Sequence, residues 1–435
     1  MTVSKGPELL APAGSPLAVR RAVAYGADAV YAGVPRWSLR VRGNGFSKED
    51  FASSIAYAHS HGARFYAVVN AIPHERRLRG DFAGQLRQVA ALGPDALIMA
   101  DPGLIAQALE ICPQIPVHLS VQANTVNSGD VKFWQRVGVR RCILARELSL
   151  SEIALIRQEC PDAELEVFAH GALCIAVSGR CLISGLLSRR DANTGACNNS
   201  CRSLCRARAI RAVQAGSDGC VPDDLVLEAQ VEDSEKHPGE WMAMEEDPDG
   251  SYLFNSKDLC TLPILDRLCA TGIDSIKIEG RSRSPFYVAA ITRAYRLALD
   301  AIGRGEKVPA ESFLIASSIP SRGYTTALLE PGRPDLMQDY ETNTPSPGRM
   351  RICGQILSQA PDGTIHVQVK NRFGDGRVSI LTPDGLVDLD VSGMRDEESG
   401  EAVAIAKGSG YFVRIPCPFR VDLEMDEMVA WVPGA

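Results

Sequence analysis

The chain has 435 residues, a formal net charge of −7, 45% hydrophobic residues and 23% charged residues. This balance is typical of a globular protein with a large core, and it excludes collagen-like and disordered chains. We find neither the run of ~18 apolar residues that a membrane helix needs nor a signal-like apolar stretch near Met1. We therefore expect a cytoplasmic protein.

Eight short apolar runs alternate with helix-like stretches in roughly the first three hundred residues. They cover residues 8–12, 29–33, 64–70, 96–101, 117–122, 142–147, 165–170 and 275–280. Runs of this kind are typical of parallel strands buried on both faces. Eight strand–helix units predict an α/β fold, a (β/α)8 TIM-like barrel. A doubly wound open sheet is the alternative, but the turns lack the Gly-x-Gly-x-x-Gly motif of a dinucleotide site.

Local signals mark helix starts and divide the chain into regions. Ser15-Pro16 predicts an N-cap with proline in the first turn, and Ser149–Glu152 predicts a capping box. Short alternating runs with Pro-Asp-Gly turns predict a small C-terminal all-β domain. We expect a barrel over residues 1–305 with an insertion at 175–251, an irregular connecting region at 306–348 and a small β-barrel at 349–435.

The predicted insertion has two halves of opposite charge. Residues 180–211 hold seven arginines and one acidic residue, Asp191, whereas residues 218–249 hold twelve acidic residues and one lysine, Lys236. A solvated surface loop is the simplest interpretation of the acidic half. The arginine-rich half also contains cysteines, so we interpret the two residue types together.

Cysteines cluster at the start of the insertion. Of 13 cysteines, five lie within 32 residues: Cys174, Cys181, Cys197, Cys201 and Cys205. In a chain without a secretory signal, metal binding or catalysis is favoured over disulfides. Four thiolates around one point suit an iron–sulfur cluster or a structural zinc ion, and the irregular spacing favours the cluster. Buried free thiols are the remaining alternative.

Polar residues follow the predicted strands at their carboxyl ends, which face the active site in a barrel. The candidates are Asn70, Asp101, Gln122, Asn124, Arg146, Glu147, His170, Glu279 and Arg281. The two-residue period of a strand places Lys277, Glu279 and Arg281 on one face. Arg40 and Arg42 alternate in the same way after the second strand. Arginine pairs suit carboxylates or phosphates, and salt bridges at the barrel rim are the alternative.

Several long segments resemble the collagenase-like peptidase family of unassigned catalytic type, one of the U-type peptidase families. They are Glu8–Gly14, Tyr25–Gly33, His118–Asn124, the cysteine segment and Lys277–Arg281. The resemblance extends through the whole barrel. It is strongest to the branch of the family that modifies tRNA, in the segments Ser38–Arg42, Gly93–Gly103, Val131–Trp134, Arg146–Leu150 and Asn255–Leu259.

The resemblance implies an enzyme that hydroxylates the wobble uridine of tRNA to 5-hydroxyuridine, with prephenate as co-substrate. It also implies an iron–sulfur cluster of the [4Fe–4S] type, with the anticodon loop of tRNA as the partner. The ligands of the cluster, carried over by position, are Cys174, Cys181, Cys197 and Cys201. Two extra thiols, Cys205 and Cys260, could each replace one of these four.

We therefore expect a redox site at the barrel mouth. Its expected catalytic residues are Glu279, His170 and Glu147. Its expected substrate-binding residues are Arg40, Arg42, Asn70, Gln122, Asn124, Arg146, Lys277 and Arg281. Prephenate carries two carboxylates, which arginines can clamp.

Three other functions fit parts of the sequence. The family's historical name suggests a peptidase, but the chain has no His-Glu-x-x-His or Gly-x-Ser-x-Gly motif. Hydroxylation of a ubiquinone precursor would need an apolar tunnel rather than an arginine-rich face. A non-catalytic RNA-binding protein would use the same arginines on phosphates.

Overall fold

A computed structural model gives the fold. It describes residues 6–35, 37–38, 46–75, 80–173, 205–212, 227–233, 241–244, 246–247, 250–251, 257–321, 323–330, 348–374, 376–408 and 410–431. Between residues 205 and 251 this description covers the backbone only.

Eight parallel strands close into a barrel, which confirms the predicted TIM-like fold. The first seven are β1 (Glu8–Ala13), β2 (Ala29–Gly33), β3 (Arg64–Val69), β4 (Ala96–Met99), β5 (Val117–Leu119), β6 (Arg141–Ile143) and β7 (Glu164–Ala172). The eighth strand, Ser275–Ile278, pairs in parallel with both β1 and β7 and so closes the ring. Nearly every residue of these strands is buried, as expected for strands covered on both faces.

Helices surround the barrel, and the two helix starts that the sequence predicts are confirmed. They are α1 (Pro16–Ala24), α2 (Lys48–Ser60), α3 (Phe82–Ala90), α4 (Pro102–Ile111), α5 (Ser128–Val137), α6 (Leu150–Glu159), α7 (Leu265–Ala270) and α8 (Pro285–Gly303). The Ser15 side chain caps α1, and Ser149 with Glu152 forms the predicted capping box of α6. Within the ranges described above, no helix combines the length and apolarity needed to cross a bilayer.

The insertion lies between β7 and the last barrel strand. Three of its strands, β8 (Cys205–Ala212), β9 (Leu227–Asp233) and β10 (Trp241–Met244), form an antiparallel sheet. Two short strands, β11 (Glu246–Asp247) and β12 (Gly250–Ser251), pair with each other. The next strand, β13 (Asp258–Cys260), runs antiparallel to β7 with Asp258 opposite Ala172. The chain therefore leaves and re-enters the barrel at neighbouring positions, before the closing strand β14 (Ser275–Ile278).

The region after α8 is more regular than the sequence indicates. A helix, α9 (Ala310–Ser318), packs against α8, and a short strand, β15 (Tyr324–Thr325), pairs with β13. Helix α9 has no side-chain N-cap and contains three serines, so its local signal is weak. Its stability comes from burying Ile315 and Ala316.

The C-terminal region forms a separate antiparallel sheet, which confirms the predicted all-β region. Its strands are β16 (Met350–Gln359), β17 (Thr364–Val369), β18 (Val378–Thr382), β19 (Gly385–Asp388), β20 (Arg395–Asp396), β21 (Phe412–Pro416) and β22 (Glu427–Trp431). Their order in the sheet is β19-β18-β22-β16-β17-β21-β20. Residues such as Phe373 and Ile380 form a second core there.

Helix α1 of the barrel makes several of the contacts with the C-terminal sheet. The Tyr25 hydroxyl lies 2.8 Å from both the Leu381 and the Met425 carbonyl oxygens. Arg21 is buried, forms an ion pair with Glu427 and donates to the Glu424 carbonyl oxygen at 2.9 Å. Met350, Leu381 and Val429 of the sheet also belong to the barrel's hydrophobic core, so apolar packing and buried polar contacts together attach the sheet to the barrel.

Candidate functional site

The end of β14 and the end of β2 meet at the ring of Tyr31. The Tyr31 hydroxyl donates to the Ile278 carbonyl oxygen at 2.8 Å and lies 3.3 Å from Glu279 Oε2. The ring centroid lies 4.3 Å from Lys277 Nζ and 5.9 Å from the Arg281 guanidinium carbon. Lys277, Glu279 and Arg281 therefore share one face of the strand and its extension.

Arg281 is buried at the mouth and is positioned by β2. Its Nη1 donates to the Ser38 hydroxyl. A Cβ atom at Gly33 would lie 2.6 Å from Ser38 Oγ and 2.9 Å from Arg281 Nη1, so this close approach requires glycine. Arg40 and Arg42, the predicted neighbours of this site, lie outside the described residues.

Asn70 and Gln122 meet across the mouth, although they follow different strands. Asn70 Nδ2 donates to Gln122 Oε1 at 2.6 Å, and the Ser120 hydroxyl donates to the same oxygen at 3.2 Å. Gln122 Nε2 is buried without a hydrogen-bond partner, and so is Asn124 Oδ1. Asn124 has a φ of 54°, a conformation that is uncommon outside glycine and asparagine. Unsatisfied buried polar groups are rare, and here two of them lie at predicted binding residues.

Arg146 extends over Phe168 at the end of β6. Its guanidinium carbon lies 4.0 Å from the ring centroid, and Nη1 donates to the Ala172 carbonyl oxygen at 3.2 Å. Its Nε is buried without a hydrogen-bond partner. Glu147, the next residue in the sequence, is half-buried. The structure thus brings Asn70, Gln122, Asn124 and Arg146 to the strand-end face of the barrel.

Lys277 is the exception among the predicted substrate-binding residues. Its Nζ donates to Glu166 Oε1 at 2.8 Å, and both residues are almost fully buried. Arg141 completes the cluster with distances of 3.1 Å to Glu166 and 2.6 Å to Glu8. Lys277 therefore belongs to a charge network inside the barrel, where Glu166 rather than a substrate is its partner.

Opposite charges keep Glu166 ionised. Burial alone would raise the pKa of Glu166, but Lys277 and Arg141 outweigh burial, and the pKa is lowered. His118 packs edge-on against Tyr66 at 4.8 Å, and burial together with Arg141 and Lys277 lowers its pKa well below 6.5. His118 is therefore a neutral core histidine.

His170 does not join the polar cluster at the mouth. The pairing of β7 with β14 shifts register between Lys277 and Ile278, so that His170 stands opposite Ile278. Its ring faces three tyrosines that lie outside the barrel ring on α8 and β15. They are Tyr295 at 5.5 Å, Tyr324 at 5.2 Å and Tyr287 at 6.2 Å between ring centroids. Burial, with the nearby charge of Arg283, lowers the His170 pKa to about 3. His170 is neutral and buried, on the side of β7 that faces α8.

The four predicted cluster ligands, Cys174, Cys181, Cys197 and Cys201, lie outside the described residues. The part of the chain that the structure describes contains no group of three metal-binding side chains. Of the two extra thiols, Cys205 begins β8, and Cys260 is buried in β13 with Sγ 3.9 Å from the Tyr295 hydroxyl. Strand β7 ends at Ala172, two residues before Cys174 in the sequence. Four thiols are a donor set of the kind that an iron–sulfur cluster takes.

Two contributors to the site were missed by sequence reasoning. Tyr31 and Phe168 lie inside buried strand runs, where an aromatic residue signals only packing. The two-residue period would have placed Phe168 on the same face as Glu166, but sequence alone does not show that a cation lies over its ring.

A closed parallel barrel with polar groups at the carboxyl ends of its strands has the architecture of a TIM-barrel enzyme. Residues 14–337 match Peptidase family U32, and residues 349–429 match the Peptidase family U32 C-terminal domain. The chain belongs to peptidase family U32.

Known proteins resemble this chain over most of its length. A relative from Escherichia coli K12, tRNA hydroxylation protein P, is 42% identical over 96% of this chain and 95% of its own. A relative of the same name from Haemophilus influenzae is 42% identical over 97% of this chain and 96% of its own. A more distant relative, the 23S rRNA 5-hydroxycytidine C2501 synthase of Escherichia coli K12, is 36% identical over 72% of this chain and 42% of its own. Among solved structures, the U32 peptidase Mk0906 is 16% identical, with a TM-score of 0.34, over 38% of this chain and 70% of its own.

Proposed function

We propose that this chain is an enzyme that hydroxylates tRNA and converts the wobble uridine to 5-hydroxyuridine. The observation that carries the proposal is 42% identity, over nearly the whole chain, to relatives named tRNA hydroxylation protein P. The barrel mouth supports it, because amide, carboxylate and guanidinium groups converge there as an enzyme site requires. An exposed anticodon loop also lets one base unstack at small energetic cost.

The proposed reaction replaces the C5–H bond of uracil by a C5–OH bond. Written with water as the oxygen source, it releases two protons and two electrons, and an external oxidant takes up the two electrons. Cys174, Cys181, Cys197 and Cys201 would hold a [4Fe–4S] cluster, whose chemistry is electron transfer. The barrel's own part is to bind and orient the base at the mouth. Of the predicted catalytic residues, Glu279 is the best placed to hold or move a proton, because Tyr31 and the Gly280 N–H orient its carboxylate.

Arginines at the mouth support prephenate as the proposed co-substrate. Arg281 is buried at the end of β14, and its planar guanidinium suits bidentate binding of a carboxylate. Arg40 and Arg42 follow β2 in sequence, and β2 is the strand that positions Arg281 through Ser38 and Gly33. We propose that these arginines bind the two carboxylates of prephenate.

The described cysteine and histidine neighbours do not support a cysteine peptidase. Cys260 and His170 stand opposite each other in the pairing of β13 with β7. Burial raises the pKa of the Cys260 thiol, and burial lowers the His170 pKa to about 3. An activated thiolate next to an imidazolium needs shifts in the opposite directions.

Nucleoside mass spectrometry of tRNA from a deletion strain tests the proposal. We expect the wild-type gene to restore 5-hydroxyuridine and the variant Cys181→Ala to restore none while keeping the wild-type circular dichroism spectrum. Cys269→Ala, which removes a half-buried thiol on α7, is the matched control and should behave as wild type. An anaerobic iron and sulfide assay should find about four irons per wild-type chain. Full 5-hydroxyuridine without the gene, or with Cys181→Ala, would contradict the proposal.

A further inference from the structure

We propose that Gln122, Asn124 and Arg146 recognise the Watson–Crick edge of uracil and exclude cytosine. This inference rests on the proposed function, since it names the groups that select the base. It starts from three buried polar atoms that have no partner in the described structure: Gln122 Nε2, Asn124 Oδ1 and Arg146 Nε. A buried polar atom without a partner is unfavourable, so a bound ligand that supplies the partner is favoured.

The orientation of the Gln122 amide is fixed by its neighbours. Its Oε1 accepts from Asn70 Nδ2 at 2.6 Å and from the Ser120 hydroxyl at 3.2 Å. Both donors bind the oxygen, so the amide presents Nε2 away from them as a hydrogen-bond donor. Gln122 is 5% exposed, so its Nε2 is shielded from bulk solvent.

Asn124 and Arg146 are held by backbone contacts around the rim. Asn124 ends the turn Val121–Ala123, with its own N–H donating to the Val121 carbonyl oxygen at 2.9 Å. Arg146 is held by the Ala172 carbonyl oxygen and by the ring of Phe168, and these contacts leave Nε as its unpartnered donor.

The path of the chain sets the order of these three groups. Residue Thr125 bridges Leu144 in parallel, and the Ala145 N–H donates to the Thr125 carbonyl oxygen at 3.0 Å. The segment that contains Asn124 therefore runs from the end of β5 to the extension of β6. Along this backbone path, Asn124, which carries the acceptor, comes between Gln122 and Arg146, which carry the donors.

The order donor, acceptor, donor matches uracil. The Watson–Crick edge of uracil presents O4 as an acceptor, N3–H as a donor and O2 as an acceptor. Cytosine presents an N4 amino donor and an N3 acceptor at the first two positions, so two contacts would become repulsive. A good bidentate pair of base contacts discriminates by roughly 1–3 kcal/mol, about fivefold to 150-fold in affinity.

Binding by the full-length protein tests this inference. Two anticodon stem–loop RNAs that differ only in uridine or cytidine at the wobble position are titrated by fluorescence anisotropy. We expect the wild type to prefer the uridine loop by about tenfold or more. We expect Gln122→Glu to abolish or reverse this preference, because a carboxylate still accepts from Asn70 but repels uracil O4 and accepts from the cytosine amino group. Gln107→Glu on the exposed face of α4 makes the same charge change and should keep the wild-type ratio.

A second variant keeps the test decisive if Gln122→Glu does not fold. Gln122→Met keeps the length of the side chain but removes the amide. Without this pair of contacts, the preference for the uridine loop over the cytidine loop should be about tenfold lower than in the wild type. Equal binding of the two loops by the wild type, or an unchanged ratio in a folded Gln122 variant, would overturn the inference. The proposed function fails separately, if the wild-type gene does not restore 5-hydroxyuridine to the deletion strain.

Discussion

His170 shows how a single register shift changes the role of a residue. A uniform two-residue alternation would place it on the same face as Glu166 and Phe168, at the mouth. The irregularity in the pairing of β7 with β14 turns it instead toward α8, and Gly171 follows with a φ of 105°. Its Nδ1 lies 3.3 Å from the Tyr295 hydroxyl, which itself donates to the Ala169 carbonyl oxygen at 2.7 Å. The ring is thus a packed and neutral part of the barrel wall.

Replacing His170 by Phe should flatten the dependence of stability on pH. The folded-state pKa of about 3 lies below the ordinary value of 6.5, because burial disfavours the charged ring. Between these values the unfolded chain binds a proton that the folded chain does not, so stability falls as pH falls below 6.5. The slope from one such group approaches about 1.4 kcal/mol per pH unit. Urea unfolding between pH 7.5 and pH 5 should show a shallower loss in His170→Phe than in the wild type.

The exposed His61 provides the control for this measurement. His61→Gln alters a residue at the end of α2 and should leave the wild-type slope unchanged. An identical slope in His170→Phe and in the wild type would show that the folded protein protonates His170 normally.

Strand ends were predictable from the sequence, but the partners of their side chains were not. Asn70, Gln122 and Arg281 lie at the mouth because residues that directly follow a buried parallel strand must emerge there. Lys277 follows the same alternation but is bound inside the barrel by Glu166, which lies 111 residues away in the chain. Such long-range pairing has no local signal. The roles of the predicted catalytic residues and of the cysteines remain predictions.

Elements with strong local signals were predicted best. The eight barrel strands are continuous apolar runs, and Ser15 and Ser149 mark the helix starts that the structure contains. Two elements were missed for physical reasons. Strand β13 has only three residues and depends on pairing with β7, and α9 depends on burial against α8 rather than on capping.

The Ser149 capping box offers a test at the scale of one helix. Ser149 Oγ accepts from the Glu152 N–H at 3.3 Å, and Glu152 Oε2 accepts from the Ser149 N–H at 2.7 Å. Ser149→Ala leaves N-terminal N–H groups of α6 without an acceptor, and it should reduce the free energy of unfolding by about 1 kcal/mol. Urea denaturation measures this difference.

Exposed Ser53, in the interior of α2, is the matched control for the cap. Ser53→Ala should change stability by less than about 0.5 kcal/mol. A loss in Ser149→Ala no larger than in this control would show that the cap does not stabilise α6.

The C-terminal sheet has a core of its own, but Met350, Leu381 and Val429 of the sheet pack into the barrel core, and polar contacts add to this attachment. Arg21 and Tyr25, on one face of α1, reach Glu427 and the carbonyl oxygens of Leu381 and Met425. Burial raises the pKa of the Tyr25 hydroxyl well above 10, so it remains a donor at all physiological pH values. These contacts join residues 350 or more positions apart in sequence, which is why the two regions could be predicted but not their attachment.

Removing the insertion should leave the barrel folded. Ala172 and Asp258 are already paired, so deletion of residues 174–256 leaves Leu173 and Lys257 as a two-residue hairpin loop. We expect this variant to be a soluble monomer with the wild-type helical circular dichroism signal per barrel residue. It should bind no iron, and it should not restore 5-hydroxyuridine to a strain that lacks the gene. If this variant aggregates and a control with a deletion of the same length elsewhere in the chain does not, the insertion is needed for folding of the barrel.

The pairing of β13 with β7 has an evolutionary consequence. Because β7 and β13 pair where the chain leaves and re-enters the barrel, the length of the segment between them can change without altering the geometry of the barrel strands. For a flexible loop, doubling the length adds only about 0.6 kcal/mol of closure entropy. A mutation or recombination event that lengthens, shortens or exchanges the insertion therefore leaves the barrel intact. New redox or RNA-binding chemistry can be acquired in this way without a change of fold.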